Sequence, residues 1–544
     1  MAHSLFRTLA VISAATAALA QLPANVTDQE TIDLSDGRTV RYKEPKLCET
    51  TDGVKSYAGY LDIAEDKHVF FWFFESRNDP STDPTTLWLN GGPGADSMGG
   101  LFDEIGPCSL NENLETELRT TSWNSLSNLF ILSQPIGIGF SYADTLETPF
   151  PIDPTNPEEL VPARLANADY RAVNSTELAG EDMWHAVRTL YEALPEMAPD
   201  VKSKTLHMGA QSYGGHWGPH FFNRFRKETE ALGEDAPFEI GSLMVVNGLV
   251  DAMLQWPSFP QFSAHNTHGV HPDPMVTMAM EFSLVMKDVG CLAKLEQCEA
   301  IWDGGLSLTA GNTCNDASVA CRNGVEFPFQ AYTDTHNYDV RAVGAGKEGE
   351  GEPLPPAIYA PWLNTAEVQQ ALGVELNYTY TSSNAAGEVL AAFAPTGDFA
   401  RSYRKDLEEL LEAGVRVSLW HGDADWVCNW FGGEVLSLGT NYTNAEKFAS
   451  AGYESLMVDG KHYGDTREYG NFAFTRVFDA GHAMPFYQPE AAYAMFERVI
   501  TGKDLASGEH DIKDDYATSG PANSTYSQVA EKRKRSLNSA KFRI

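Results

Sequence analysis

The sequence predicts an α/β fold with a mixed, mostly parallel central sheet, and three observations predict it. Short, nearly unbroken apolar runs recur at 68–74, 85–89, 128–134, 242–246, 415–420 and 472–478. Runs of that length and composition are strands buried on both faces. Segments with helical spacing, at 176–194, 365–372, 406–413 and 491–500, stand between or after them. Several of the runs end in turns that carry chemistry: Asn90-Gly91-Gly92-Pro93-Gly94, Gly209-Ala210-Gln211-Ser212-Tyr213-Gly214-Gly215, His421-Gly422-Asp423-Ala424-Asp425 and Asp479-Ala480-Gly481-His482.

The elements can be justified in chain order. Residues 1–20 read as a secretory signal. Arg7 supplies the positive region, 9–19 the apolar core, and Ala18-Leu19-Ala20 the cleavage site. The core is too short to span a bilayer, and no later run reaches the roughly 18–20 apolar residues that a spanning helix needs. Residues 21–251 read as the first part of the core. There, 39–42 and 57–63 alternate like antiparallel strands, and 68–74 is a central strand. The strand at 85–89 ends in a glycine pair whose N–H groups can point into a site, as an oxyanion hole requires. Residues 144–180 are rich in proline and aspartate and read as a surface excursion. The strand at 205–208 runs into Gly209–Gly215, and Phe221, Phe222 and Phe225 then fall on one helix face. Strand, tight small-residue turn and helix are the setting of a nucleophile elbow. From 252 to 360 the pattern breaks, with aromatics, prolines and cysteines crowded together; this is an inserted cap, and 344–352 reads as a mobile loop. The second part of the core, 361–505, carries the acid and the base. The polar tail, 506–544, is expected to be disordered, with Lys532-Arg533-Lys534-Arg535 as a processing site.

Composition narrows the function. The 544 residues carry a net charge of −36, which repels nucleic acid and suits a soluble protein outside the cell. The expected location is therefore secreted, with a vacuolar or lytic compartment as the alternative. Sequons at Asn25, Asn174, Asn377, Asn441 and Asn523 are glycosylation candidates. Seven cysteines read as a disulfide framework with one left over. Cysteine and histidine do not cluster at ligand spacing, so neither a metal nor a cofactor is expected.

A serine hydroxyl is a poor nucleophile until a base takes its proton, and a carboxylate must orient that base. Ser212, then an aspartate of 421–425, then His482, each just past a strand, is the triad order of α/β-hydrolases.

With those residues in view, the chain resembles the serine carboxypeptidase family of secreted and vacuolar exopeptidases, from about 57 to 505. The motifs are Asn90 to Gly94, Trp123-Asn124, Gln134 to Tyr142, Ala210 to Gly215, Asn247-Gly248-Leu249-Val250-Asp251, Asn337-Tyr338-Asp339-Val340-Arg341, Gly422 to Trp430 and Gly481 to Glu490. The resemblance implies an α/β-hydrolase fold with an inserted, disulfide-stapled cap. It implies Ser212 as nucleophile, His482 as base, Asp425 as its orienting acid and Asp423 as structural. The N–H groups of Gly92 and Tyr213 would form the oxyanion hole. Asn90, Gly91, Gln211 and Glu104 would hold the substrate's terminal carboxylate, and Trp88 would help wall the site. The substrates would be peptide and protein C-termini. An acyltransferase or an esterase on the same scaffold is the alternative, and oligomeric state stays open.

Four residues depart from the family pattern. Gln211 stands where the family has a glutamate paired with the residue matched by Glu104; its amide donates at any pH. Ala210 replaces the elbow glycine, Ala95 replaces a cysteine, and Ala483 follows the base where a methionine is common, which enlarges the leaving-group pocket. The resemblance leaves Cys428 unpaired. Of the fifteen pairings open to the other six, the expected set is Cys291–Cys321 nested around Cys298–Cys314, with Cys48–Cys108 in the core.

Overall fold

The computed structural model describes residues 22–528, except 24, 152, 154, 155, 168, 170, 171, 343–353, 355, 356, 380–383 and the side chains of 384–388. The signal, the loop at 344–352 and the basic run at 532–535 lie outside the described residues.

The strands before the first insertion are β1 (Glu30–Asp33), β2 (Thr39–Lys43), β3 (Ser56–Ala64), β4 (Lys67–Phe74), β5 (Thr85–Leu89), the short pair β6 (Cys108–Leu110) and β7 (Thr116–Leu118), and β8 (Asn128–Leu132). Then come β9 (Asp144–Phe150), β10 (Val161–Asn167), β11 (Thr205–Gln211), β12 (Glu239–Val246), β13 (Arg416–Gly422), β14 (Glu454–Val458), β15 (Lys461–Tyr469) and β16 (Phe472–Val477). One 12-stranded sheet has the order β1-β2-β3-β4-β8-β5-β11-β12-β13-β16-β15-β14. From β8 through β16 the neighbours run parallel. Antiparallel strands extend the sheet at both sides.

The reason β4 is almost wholly apolar is visible in where its side chains go. Phe71 and Phe73 join one core cluster, and Phe70, Trp72 and Phe74 join the other, on the opposite face. Alternation along a strand puts neighbours on opposite faces, and here both faces are covered. Helix α1 (Thr176–Met197) packs on the first cluster, and the Ser175 side chain caps it by accepting from the Leu178 N–H. Helix α2 (Gly214–Leu232) lies on the same face.

The cap region is helical. Its helices Cys291–Ile301 and Leu308–Cys321 each carry two cysteines seven residues apart. Two turns of helix return a side chain to one face, so an antiparallel pair joins through Cys291–Cys321 and Cys298–Cys314. A third bond joins Cys48 to Cys108, and Cys428 is free and buried.

Two expectations are corrected. Residues 144–180 are not a plain excursion: β9 and β10 pair as an antiparallel hairpin, with Phe150, Val161, Ala163 and Leu165 in a small core of their own. The tail is not disordered as far as Gln528. It runs back along β14 and β15: the Thr518 N–H donates to the Glu468 carbonyl, the Gly470 N–H to Tyr516 and the Tyr453 N–H to Pro521. Tyr526 stacks on Phe478 at 4.0 Å between ring centroids. Polar composition hid this because the tail is held by fixed hydrogen bonds rather than by an apolar stripe.

Candidate active site

Strand β11 delivers Ser212. The strand ends at Gln211 and α2 begins at Gly214, so the chain turns sharply at Ser212, whose φ is 65°. A left-handed non-glycine residue costs about 1–3 kcal/mol and persists only where its surroundings fix it. Here the Ser212 N–H donates to Val246 at 3.0 Å, and its carbonyl accepts from Leu249 at 3.0 Å and Gly215 at 2.9 Å. Ala210 is accommodated because glycines oppose it: a Cβ at Gly214 or Gly218 would come within 3.0 or 3.1 Å of its methyl group.

The loop after β5 presses on this elbow. A Cβ on Gly91 would lie 2.3 Å from the Tyr213 nitrogen, so only glycine fits there. Gly92 follows with φ 106°. Among the described residues, neither the Gly92 nor the Tyr213 N–H donates to a backbone carbonyl.

His482 follows β16 and Asp425 follows β13. His482 Nδ1 lies 2.8 Å from Asp425 Oδ2. Asn247, at the end of β12, donates its side-chain N–H to the same oxygen at 2.8 Å and accepts from the Gly422 N–H at 3.2 Å. The Tyr338 ring stacks on His482 at 4.5 Å between centroids and 9° between planes. The His482 N–H donates to the Tyr338 carbonyl, while Trp426 and Val427 donate to Asn337. One short segment thus grips both the acid loop and the base loop. The sequence reading saw Asn247 and Tyr338 only as landmarks. Asn247 carried the usable signal, a polar residue directly after a buried strand.

Asp423 serves a different purpose. It accepts from His268 at 3.0 Å, Arg476 at 2.9 Å, Gln528 at 2.7 Å and the Asp479 N–H at 2.9 Å. Burial works to raise its carboxyl, but His268, Arg476 and Gln528 outweigh it and hold the group at about 2. It therefore ties cap, tail and base loop together as a fixed anion.

Ser212, His482, Gly91, Gly92, Asn90, Gln211 and Glu104 line one cavity of about 140 Å³. The Asn90 amide donates to Gln211 Oε1 at 2.9 Å and to Glu104 Oε1 at 3.5 Å. The Gln211 amide donates to Glu104 Oε2 at 2.6 Å. Trp88, expected in the wall, instead lies beneath and aims Asn90: its Nε1–H donates to Asn90 Oδ1 at 2.8 Å. Burial pushes the Glu104 carboxyl up to about 7, against the opposing hydrogen bonds from Gln211 and Asn90. Asp96 and Asp103 line the same cavity. Burial lifts Asp96 to about 6; burial and then the neighbouring Glu104 lift Asp103 to about 8.

One further group is brought together that linear spacing conceals. Asp425, Cys428 and His482 offer donor atoms within 4.8 Å of one another. Two of them are already joined by the hydrogen bond, and burial pushes the Cys428 thiol well above its usual value, away from the thiolate that a metal requires. Of the sequons, Asn25, Asn441 and Asn523 are exposed and Asn174 is half-buried. Asn377 is removed from the candidates: it is buried, its amide donates to Asn364 and its carbonyl accepts from Arg164.

A strained serine between a parallel strand and a helix, in one cavity with an aspartate-paired histidine, defines a serine hydrolase of α/β-hydrolase type. The sequence profile of the family described as serine carboxypeptidase matches residues 45–502. Carboxypeptidase S1 homolog B of Arthroderma otae is 35% identical over 90% of this chain and 80% of that one. Carboxypeptidase S1 of Penicillium janthinellum is 31% identical over 86% and 99% respectively. Carboxypeptidase Y of Komagataella phaffii is 32% identical over 85% and 79%. Among solved structures, a prohormone-processing carboxypeptidase of Saccharomyces cerevisiae, Kex1Δp, superposes with a TM-score of 0.62, covering 88% of this chain and 99% of that chain at 20% identity. The chain belongs to the serine carboxypeptidase family, as the resemblance implied, and the α/β-hydrolase sheet is borne out. Among the described residues no helix is long and apolar enough to cross a membrane.

Proposed function

We propose that the protein removes amino acids one at a time from the free carboxyl end of peptides and proteins, through an acyl-enzyme at Ser212. His482 takes the Ser212 proton as the oxygen attacks the scissile carbonyl, then gives it to the leaving amine. Asp425, held by Asn247, keeps His482 Nδ1–H bonded and steadies the imidazolium that forms. The N–H groups of Gly92 and Tyr213 receive the developing oxyanion. Water then repeats the attack with His482 as base and frees the acyl product.

One observation carries the exopeptidase reading. Asn90, Gln211 and Glu104 form a buried, hydrogen-bonded cluster in the same cavity as Ser212 and His482. Asn90, the Gly91 N–H and Gln211 offer donors to a carboxylate, and Glu104 offers an O–H while it is protonated. Ionised, Glu104 repels the substrate carboxylate, so recognition weakens as pH rises through about 7. The acyl portion lies across Ser212, in a cavity of about 320 Å³ lined by Trp256, Arg322, Glu326, Phe327, Phe399 and Val427 among others. The protein works outside the cell or in a lytic compartment; its three disulfides support an oxidising route there.

Mass-spectrometric product analysis on a peptide and its C-terminal amide, with Ser212→Ala as control, tests this. Stepwise loss of residues from the free acid, much slower from the amide and absent in the variant, is expected. Equal action on acid and amide would move the reading to an esterase or acyltransferase.

A further inference from the structure

We propose that Asp398 is a positioning residue for the oxyanion hole: it anchors the phenol of Tyr213 and so aims the Tyr213 N–H at the oxygen that becomes negative. This rests on the reading above, in which that N–H is one of two donors to the oxyanion. A peptide unit is a rigid plane, so fixing both of its ends fixes the direction of its N–H. One end of the Ser212–Tyr213 unit is the Ser212 carbonyl, which accepts from Leu249 and Gly215 at 3.0 and 2.9 Å. The other end is the Tyr213 Cα. Its side chain runs into the core, where the phenol O–H donates to Asp398 Oδ2. With the phenol held, the Tyr213 Cα has little freedom to swing, and its φ stays at −59°.

Asp398 is suited to the task. It is fully buried, and four donors converge on its two oxygens, the full capacity of a carboxylate. They are the Thr176 N–H at 3.4 Å, the Thr176 hydroxyl at 2.6 Å, the Tyr403 hydroxyl at 2.9 Å and the Tyr213 phenol. Thr176 opens α1, and Tyr403 stands just before the helix Arg404–Glu412, so separate parts of the chain meet on this side chain. The Asp398 backbone is fixed as well. Its carbonyl lies 3.1 Å from Nε2 of His216, on the first turn of α2. Gly397 before it has φ 74°, and a Cβ there would collide with the Cys314 Cβ. The turn is thus pressed against the cap helix that the Cys298–Cys314 bond staples. The Tyr213 ring packs on His216 at 4.4 Å and on Phe399 at 4.8 Å between centroids. Those rings confine the side chain sideways, and the bond to Asp398 fixes how far it reaches. Asp398 lines neither of the two cavities beside Ser212, so it acts through Tyr213.

The test uses Tyr213→Phe, which deletes the phenol O–H and keeps the ring and the N–H, together with Asp398→Asn. Turnover and KM are measured on a blocked peptide acid, and affinity on a blocked peptide aldehyde and the matching alcohol. Ser212 Oγ adds to the aldehyde carbon, its proton passes to His482, and the former carbonyl oxygen takes the electron pair and the place of the oxyanion; the alcohol cannot react. Loss of one oxyanion donor costs about 10²–10³-fold in kcat, and a donor kept but loosened costs part of that. Tyr213→Phe is therefore expected to lower kcat about tenfold with KM within about twofold. It should weaken the aldehyde by the same factor as kcat/KM while the alcohol binds as before. Asp398→Asn is expected to do the same, and the double variant to cost no more than the worse single, since both break one link. A Tyr213→Phe enzyme with wild-type kcat and aldehyde affinity overturns the proposal. So does a loss confined to KM or Tm, and so do single costs that multiply in the double variant. Should Asp398→Asn fail to fold, Tyr213→Phe alone decides. A wild type that neither binds the aldehyde more tightly than the alcohol nor releases a C-terminal residue would overturn the carboxypeptidase reading instead.

Discussion

The two sides of Ser212 are built on opposite plans. On one side lies the smaller cavity, with three carboxyl groups, Asp96, Asp103 and Glu104, and two amides, Asn90 and Gln211. On the other lies a cavity more than twice as large, walled by Trp256, Phe327, Phe399 and Val427. Its charges are matched internally: Arg322 lies 3.7 Å from Glu326 and over the rings of Phe399 and Phe327. The first side suits the reading of charge, because its amides and Glu104 are buried and bonded to one another in the cavity. The second reads shape and apolar area, because its one ion pair is already satisfied. On the proposed function, a peptide would be held at its end by electrostatics and along its body by packing.

The largest expected effect removes both sides at once. Ser212→Ala should lower turnover by about 10⁵–10⁶-fold on acids, amides and esters alike, followed as peptide hydrolysis. Next, Asn90→Ala should separate the sides. It removes a donor from the buried cluster and should lower kcat/KM for a free acid by roughly 5–150-fold, at about 1–3 kcal/mol for an interrupted buried hydrogen-bond set. The matching amide should change only a few-fold; parallel assays of the pair check it. Phe399→Ala should do the reverse, costing about tenfold for an aromatic acyl residue through lost packing while leaving the acid-to-amide ratio in place.

The smallest effect is on stability. Glu104 has its folded value raised, from 4.5 to about 7, so its contribution is fully present below about pH 4.5 and is lost as pH rises through about 7. Asp96 and Asp103 act in the same direction, up to about 6 and about 8. Thermal unfolding from pH 4.5 to 8 should show Tm falling, and Glu104→Gln should flatten part of that slope. A Tm that rises steadily across this range would show that these carboxyl groups are not the dominant titration.

How legible was this in the sequence? The central strands and the elbow were, because a strand buried on both faces must be nearly all apolar and a close strand–helix turn must use small residues. The Ala210 departure was legible, but the glycines that make room for it, Gly214 and Gly218, become its neighbours only after folding. The acid and base loops were legible as strand-end residues. The grip of Asn247 and Tyr338 on them was not, because it depends on contacts across 178 and 144 positions of sequence. Asn377 reads as a sequon in any linear scan; only burial removes it. Asp103 carries no signal of its own in the sequence, and its character comes from the cavity around it. The tail escaped for a related reason: Thr518, Ser524 and Gln528 carry no apolar signal, yet their hydrogen bonds to Glu468, Asp465 and Asp423 hold it in place.

The central claim is that a protonated Glu104 beside Gln211 reads the substrate's carboxylate. The most direct measurement is the ratio of kcat/KM for a peptide acid to that for its amide, from pH 5 to 8, in the wild type and in Gln211→Glu. The account predicts a high ratio that falls through about pH 7 in the wild type. In the variant it should fall at lower pH, because two adjacent carboxyl groups lose their first proton more readily. A ratio that stays flat with pH, or is the same in both enzymes at every pH, would contradict it.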